Sequence, residues 1–482
     1  MIQYKTMKTN ERNFLASRRE FLWSIAALGA VGGCRSLGLA DDGTLLRLGV
    51  ISDIHVTTPE STDKFRRALA WFRKRGVDAV AIAGDLADWG LLSGWKYTKE
   101  AWDAEMSGTE ITPLFITGNH DFEGWRYGDM TLDMHVQGYS EKEALSKLGM
   151  KKCWEETFGE PYEDIRHRKV RGFDFVSVEW NCKEDAVLDW FKAHAGELAA
   201  DRPVFFMRHP PFSDTTAGSG RGEKWNRLRD YLQTLPNCVA ITGHTHWTAT
   251  DERSIWQKGG LTALSVPSMS YTGLPTGYEN GYAVRDTTSA MSMERIQVRE
   301  NLKEAQGFLL TVGERAMTVE RHDFEYGVEA AAPWVVTMPT GAAQQYSIAK
   351  RASAAEAPRF AAGATVATHM TNSVRRNGTW TMFLSLDFPT ADRGGRVFDY
   401  VARIVMEDGS VFTSKKYLST SFYKPRRHED KTQSFWFDAM DLPETGRYRV
   451  AVVARNCFGG ESAPIFSRAF ESVPGKSSIP QT

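Results

Sequence analysis

The chain has 482 residues, a formal net charge of −1, 25% charged residues and 42% hydrophobic residues. That length exceeds one ordinary domain and predicts two or three, each able to bury its own core. The balanced charge excludes nucleic acid binding driven by bulk electrostatics and the apolar content excludes a disordered chain, so any affinity for phosphate must be local.

The N-terminus has a texture of its own. Ser17-Arg18-Arg19-Glu20-Phe21-Leu22 precedes an apolar run from Trp23 to Gly33 that is too short to cross a bilayer as a helix. Residues 1–40 thereby resemble a twin-arginine export signal. Two outcomes stay open. Cleavage after Gly38-Leu39-Ala40 gives a soluble periplasmic or extracellular protein; lipidation of Cys34, in the lipobox-like Val31-Gly32-Gly33-Cys34, gives one held at a membrane face. The other cysteines, Cys153, Cys182, Cys238 and Cys457, show no CxxC spacing. Cys238 reads as core, and a Cys153–Cys182 bridge stays open in an oxidising compartment.

From Leu45 to about Asp323, β-branched and aromatic runs alternate with helical stretches, the pattern of strands laid against covering helices. Strands are expected at 46–52, 79–83, 113–117, 173–178, 204–207, 239–242 and 261–266. Phe65, Leu69 and Phe72 recur at helical spacing behind the candidate caps Ser61 and Thr62, and Trp225, Leu228, Leu232 and Leu235 do the same before the 239 strand. Two alternating runs follow, 308–312 and 317–320, and then the helical signal fades. This α/β region is placed at 45–325, with 326–357 as connector, 358–472 as a small antiparallel sandwich and 473–482 as a tail.

Within the sandwich, strands are expected at 379–386, 399–406, 434–437 and 448–454. The stretch Leu442-Pro443-Glu444-Thr445-Gly446-Arg447-Tyr448, followed by alternating Val450, Val452 and Ala454, is similar to the closing strands of fibronectin type III domains. That resemblance makes Tyr448 the corner residue whose hydroxyl bonds back to the main chain.

Potential metal ligands cluster at strand ends: Asp53 and His55 in SDIH, Asp85 in GDLAD, Asn119 and His120 in GNHD, His209 in RHPP, and His244 and His246 in GHTH. Five of the chain's 11 histidines fall in those few positions, which scattered surface or core histidines would not do. In an open α/β layer, loops at the carboxyl ends of strands converge on one crevice. Gly84, Gly118 and Gly243 stand immediately before ligands, where the missing Cβ lets the chain turn and approach closely.

These five elements, in order across roughly 195 residues, resemble the calcineurin-like metallophosphoesterase superfamily, with its DxH, GDxxD, GNH[DE], lone His and GHxH signature. The resemblance covers about residues 45 to 320 and implies an α-β-β-α four-layer sandwich, with the C-terminal all-β domain outside it. It implies two metal ions, the first held by Asp53, His55 and His246, the second by Asn119, His209 and His244, with Asp85 bridging. His120 would face the scissile phosphate, with Asp121 placed to orient it. Two cations clamp a phosphoryl group and acidify a bridging water to hydroxide at neutral pH, and His120 assists the leaving alkoxide, help worth about 10²–10⁴ in rate. Imidazole, carboxylate and amide ligands without thiolate favour divalent or trivalent Mn, Fe or Zn over magnesium.

The expected substrate is a phosphate mono- or diester. Asp88 stands in GDLAD where a tyrosine would have pointed to a purple acid phosphatase. The combination of motifs looks closer to the branch holding bacterial cyclic-nucleotide phosphodiesterases and many exported phosphoesterases, although export weakens the cyclic-nucleotide choice. The loop 213–222 is read chiefly as a solvated connection, and as a closing flap with Arg221 or Lys224 only second. Trp89, Trp125, Trp247 and Tyr271 are candidates to wall the cleft. The competing class is a binding protein with a vestigial metal site, whose sandwich attaches it to a surface polymer or protein; a membrane is involved only if Cys34 is lipidated.

Overall fold

In the computed structural model of the chain, the described residues are 43–88, 92–122, 150–199, 201–275, 277–279, 305–340, 344–374 and 380–471. The leader, Trp89, Trp125 and the tail lie outside them.

Two six-stranded sheets make the first region. One runs in the order β12 (Val328–Thr337), β11 (Ala316–Asp323), β10 (Gln306–Val312), β1 (Leu46–Ile51), β2 (Ala79–Ala83), β3 (Thr112–Ile116). The other runs β4 (Ile165–Val170), β5 (Phe173–Val178), β6 (Val204–Met207), β7 (Cys238–Thr242), β9 (Leu261–Ser265), β8 (Ile255–Lys258). Strands β1, β2 and β3 are parallel to one another, and so are β5, β6, β7 and β9.

Residue alternation sorts each strand between two cores. Val50, Ala81, Ile116 and Phe308 from the first sheet meet Phe175, Phe205, Ile241 and Leu264 from the second in one apolar layer. The alternate residues face helices: Ile51, Val80 and Ile82 pack with α1 (Asp63–Lys74) and α2 (Leu92–Met106). On the opposite side Val176, Phe206 and Ala240 pack with α4 (Glu184–His194) and α5 (Asn226–Leu232). A further helix, α3 (Met150–Phe158), adds Trp154 to the α1/α2 side. The result is four layers, helix, sheet, sheet, helix. Helix α1 shows why: Phe65, Ala68, Leu69 and Phe72 recur on one face and are all buried. Its start departs from expectation, since Thr62 turns its hydroxyl onto the Pro59 carbonyl (2.6 Å) and Ser61 accepts from Thr57 and Thr58 N–H instead of capping the helix.

The stretch expected as connector holds β12 and a short helix, α6 (Ile348–Ala354), so the first region extends past residue 325. Pro333 within β12 is tolerated because the strand lies at a sheet edge, where one side of the backbone makes no ladder.

The C-terminal region is all-β. One sheet has the order β14 (Ala367–Val374), β15 (Trp380–Pro389), β19 (Thr432–Asp438). The other has β18 (Val411–Leu418), β17 (Asp399–Met406), β20 (Arg447–Arg455) and β21 (Ile465–Phe466), with β22 (Phe470–Glu471) also on β20. A two-residue pair, β13 (Pro358–Arg359) with β16 (Arg393–Gly394), stands apart. Leu384, Leu386 and Phe435 from one sheet and Tyr400, Ile404, Val450 and Val452 from the other share a core. Tyr448 does not play the corner role in the way expected. It packs edge-on against Phe470 (ring centroids 4.3 Å), while Tyr417 is the buried tyrosine whose hydroxyl donates to a main-chain carbonyl, that of Trp436. Cys153 and Cys182 are free thiols, not a bridge, and Cys238 is buried as expected.

Candidate metal centre

The parallel strands β1, β2 and β3 and their counterparts β6 and β7 end side by side, and the backbone there is cross-linked. Asp53 N donates to Gly84 O (3.0 Å), His55 N to Asp85 O (3.1 Å) and Gly243 N to His209 O (2.8 Å). The two sheets are joined by the His209 ring, whose Nδ1 lies 2.7 Å from the Ala83 carbonyl, and by His244 N, which donates to both Asp53 oxygens (3.1 and 3.2 Å). Ser268 Oγ donates to the Asp53 carbonyl (3.0 Å).

The three motif glycines are required by contact. A Cβ on Gly84 would stand 2.3 Å from His209 Nδ1, one on Gly118 2.2 Å from Asp85 Oδ1, and one on Gly243 2.6 Å from Asp53 Oδ2. Ligand side chains, more than an ion, occupy that space. Eight non-glycine residues among those described have positive φ, and five of them are Asp53, His55, Asp85, His244 and His246. Such conformations cost about 1–3 kcal/mol each and gather where function demands a particular geometry.

Asp53, His55, Asp85 and His246 bring their ligand atoms within 4.8 Å of one another. The hydrogens on these rings are fixed by their outer partners. His209 Nδ1 faces a carbonyl, which can only accept, so Nδ1 carries the hydrogen and, in the neutral ring a metal would bind, Nε2 is left with a lone pair. The same holds for His246, whose Nδ1 donates to the Tyr271 carbonyl (3.0 Å), and for His55, whose Nδ1 donates to Asp88 Oδ1 (3.2 Å).

Lone pairs therefore confront one another. His209 Nε2 is 3.1 Å from Asp85 Oδ2, and neither atom, both fully buried, makes a hydrogen bond. His246 Nε2 lies 3.0 Å from Asp53 Oδ1 and 3.2 Å from His55 Nε2. A single orphaned buried acceptor costs about 1–3 kcal/mol. Opposing two of them adds repulsion, so the arrangement calls for a cation between them, and the donor set fits a metal.

Where no cation is bound, the carboxylates draw a proton onto His209 in its place. Burial pushes the His209 ring down, but the Asp85 and Asp53 carboxylates beside it outweigh burial and lift its pKa to about 9. Burial pushes the Asp53 and Asp85 carboxyls up, yet the neighbouring histidines, His246 first for Asp53 and His209 first for Asp85, hold both below the ordinary range. His244 is driven down to about 4 by burial, with His209 adding to it. Its Nδ1 lies 2.9 Å from Asn119 Oδ1, on the side of the centre that holds His209 (ring centroids 5.1 Å). All seven expected ligands thus meet at one place.

His120 and Asp121 part company. His120 N donates to Asp85 Oδ1 (2.8 Å), and its ring nitrogen Nδ1 lies 2.6 Å from Asp88 Oδ1, the same oxygen that holds His55. Burial pushes the Asp88 carboxyl up, but the bonds from His120 and His55 hold it well below the usual carboxylate range. Asp121, expected to orient His120, instead accepts from the N–H groups of Leu86, Ala87, Gly118 and the Trp95 indole. It ties the Asp85 loop to the Gly118 loop; burial and the Asp85 charge push its carboxyl up to about 7. His120 and Asp121 are consecutive in one 3-10 turn, in which Asp121 is buried among main-chain N–H groups and His120 is half-buried.

Of the expected aromatic wall, Tyr271 stands 4.2 Å from the His246 ring and 5.7 Å from that of His55. Trp247 is a packing residue, against Phe422 of the sandwich. Trp180, which the sequence reading passed over, lies 6.0 Å from both His209 and His244, its one signal being its place just past the end of β5. The 213–222 loop is neither solvated nor a free flap: Thr215, Thr216 and Ser219 are buried and Ala217 N donates to Arg253 O (2.9 Å), while Lys224 is exposed.

Residues 46–248 match the family model described as calcineurin-like phosphoesterase. No curated protein matches the chain. Among solved structures, a dimetal phosphatase from Danio rerio is similar at 13% identity, covering 61% of this chain and 99% of that one with a TM-score of 0.36. A purple acid phosphatase from yellow lupin (Lupinus luteus) seeds is similar at 12% identity over 63% of this chain and 56% of its own, with a TM-score of 0.40. A predicted phosphoesterase from Streptococcus pneumoniae is similar at 12% identity, 61% and 97% coverage and a TM-score of 0.28. Calcineurin-like phosphoesterases are hydrolases that use a binuclear metal site, and the four clustered ligands above form a candidate for it. The motif order, the two sheets whose loops carry it and the family match converge: residues 46–248 form a calcineurin-like phosphoesterase domain.

Proposed function

We propose that the chain is an exported hydrolase of phosphate mono- or diesters that works with two metal ions, one at Asp53, His55 and His246, one at Asn119, His209 and His244, and Asp85 between them. The observation that carries this reading is the pair His209 Nε2 and Asp85 Oδ2, buried acceptors 3.1 Å apart with no hydrogen bond to relieve them. Mn, Fe or Zn suits ligands of this mixed hardness.

When bound, such ions neutralise charge on the phosphoryl oxygens and acidify the attacking water. The chain's own groups do the rest. Asp53 and Asp85, held ionised, draw cations into a site that excludes bulk water. Asp88 holds Nδ1 of His120, and its carboxylate favours the doubly protonated ring, whose Nε2 hydrogen is then the one to give up. From that ring a proton passes to the leaving oxygen as its bond to phosphorus breaks, so the alkoxide departs as an alcohol.

The leader at residues 17–40 supports export, by release or by lipid anchoring at Cys34. For the C-terminal region a fibronectin type III-like sandwich is supported by its strand order: three strands, β14-β15-β19, against β18-β17-β20 and a split last strand.

The test is direct. Purified protein supplemented with Mn²⁺ should hydrolyse bis(p-nitrophenyl) phosphate or p-nitrophenyl phosphate, and Asp85→Ala and His244→Ala should abolish it. Turnover that survives both substitutions would remove the reading.

A further inference from the structure

The two metal half-sites differ in what stands behind them. His209 leans on Ala83, a strand residue inside the phosphoesterase domain. His246 leans on Tyr271, in a segment without regular structure, and its own carbonyl accepts from Gly273 N (2.6 Å). Neither segment flanking His246 is held by the phosphoesterase domain alone.

Ser268 and Lys64 hold the Tyr271 segment from within the domain, and both segments also touch the C-terminal sandwich. Trp247, the residue after His246, places its ring edge-on to Phe422 (5.4 Å) and donates its indole N–H to Asp251 (2.8 Å). Thr250 donates its hydroxyl to the Phe422 carbonyl. Gln306 bridges the two regions: its Oε1 accepts from Ala249 N (2.9 Å) and Thr248 Oγ1 (3.1 Å), and its Nε2 donates to Tyr423 O (3.3 Å). On the other flank, Leu274 and Tyr278 join Trp247 in one apolar cluster with Leu418, Phe422 and Tyr423 of the sandwich, and Glu279 N donates to Lys416 O (2.8 Å).

We propose that the sandwich is part of the metal centre: by clamping the segments on either side of His246 it fixes that imidazole and sets the affinity of its half-site, with Phe422 as the positioning residue. This rests on the reading that the centre binds metal. A domain attached only as an accessory would be free to touch the scaffold anywhere. Here the contact falls on the continuation of the GHTH loop and on the segment that receives the His246 N–H. Residues that orient a ligand from behind typically change metal affinity by about 10–100-fold when removed.

The experiment titrates Mn²⁺ into the full metal-stripped chain by calorimetry and compares wild type with Phe422→Ala, Phe422→Leu and Phe388→Ala. Phe388 belongs to the sandwich core and serves as the control for general loosening. Expected are two binding events in wild type, one of them weakened about 10–100-fold in Phe422→Ala and largely restored in Phe422→Leu, with Phe388→Ala near wild type. Should Phe422→Ala fail to fold, Thr250→Val, which removes one hydrogen bond across the contact, must weaken the same event several-fold. Unchanged affinities in a wild type that takes two ions overturn the coupling alone, and so does equal weakening in Phe388→Ala. A wild type that takes up no metal overturns the phosphoesterase reading and the coupling with it.

Discussion

The half-site of His209 and the half-site of His246 use the same chemistry on different supports. Behind His209 stands the carbonyl of Ala83, at the end of a strand whose every residue is buried. Behind His246 stands the carbonyl of Tyr271, in a stretch bonded to Ser268 within the domain and continued by Leu274, which packs on the neighbouring sandwich. A ligand held by a sheet is as stable as the fold, whereas a ligand held by a loop is as stable as whatever covers the loop. The two ions of the proposed centre would therefore differ in how firmly they are kept, although their ligands look alike.

In the proposed centre Asp85 is the one residue both halves share, and Asp85→Asn should have the largest effect. It keeps a side chain that tolerates the left-handed backbone but removes the charge, and turnover should fall by about 10³-fold or more, beyond what removing a group behind a ligand does. Chromogenic ester hydrolysis with metal analysis checks this. Next, His209→Ala and His246→Ala should each leave one bound ion per chain instead of two, measured as metal stoichiometry after gel filtration. Only the His246→Ala protein should have lost the binding event that also responds to Phe422. Were both to lose the same event, the halves would not be separable.

Asp88→Asn should cost less, about 10–100-fold. Because the Asp88 carboxylate holds both the ligand His55 and the proton donor His120, the loss should grow as the leaving group becomes a poorer one, alkyl esters suffering more than p-nitrophenyl esters. An equal loss on both would reduce Asp88 to a partner of His55 alone. Smallest is Ser268→Ala, which removes the bond to the Asp53 carbonyl and those accepted from the Ser270 and Tyr271 N–H groups and should cost about 1–3 kcal/mol of stability, seen in the denaturant midpoint.

What the sequence made legible follows a physical line. Strands inside the sheets, such as β2 and β6, carry continuous apolar runs because both faces are covered, and their bounds can be read directly. Apart from four two-residue strands, those without a sequence signal, β4, β8, β12, β14 and β18, all lie at sheet edges. β4 reads Ile-Arg-His-Arg-Lys-Val and β12 contains three alanines and a proline, compositions that protect an exposed edge from pairing with another chain and erase the periodic signal. The ligands were legible because each ends a strand behind a small local motif. The roles of Asp88, Trp180 and the Tyr271 carbonyl were not, since each depends on contacts between distant elements, and neighbouring Asp121 was given a part that belongs to Asp88.

The left-handed backbone at Asp53, His55, Asp85, His244 and His246 limits how this centre can be re-tooled. Anyone wishing to retune it for another ion would have to pick replacements that accept this twist, and asparagine, aspartate and histidine do so at lower cost than β-branched side chains. The palette for redesign is thus set by main-chain shape before coordination chemistry is consulted, and a library that ignores it will sample mostly proteins that misplace the loop.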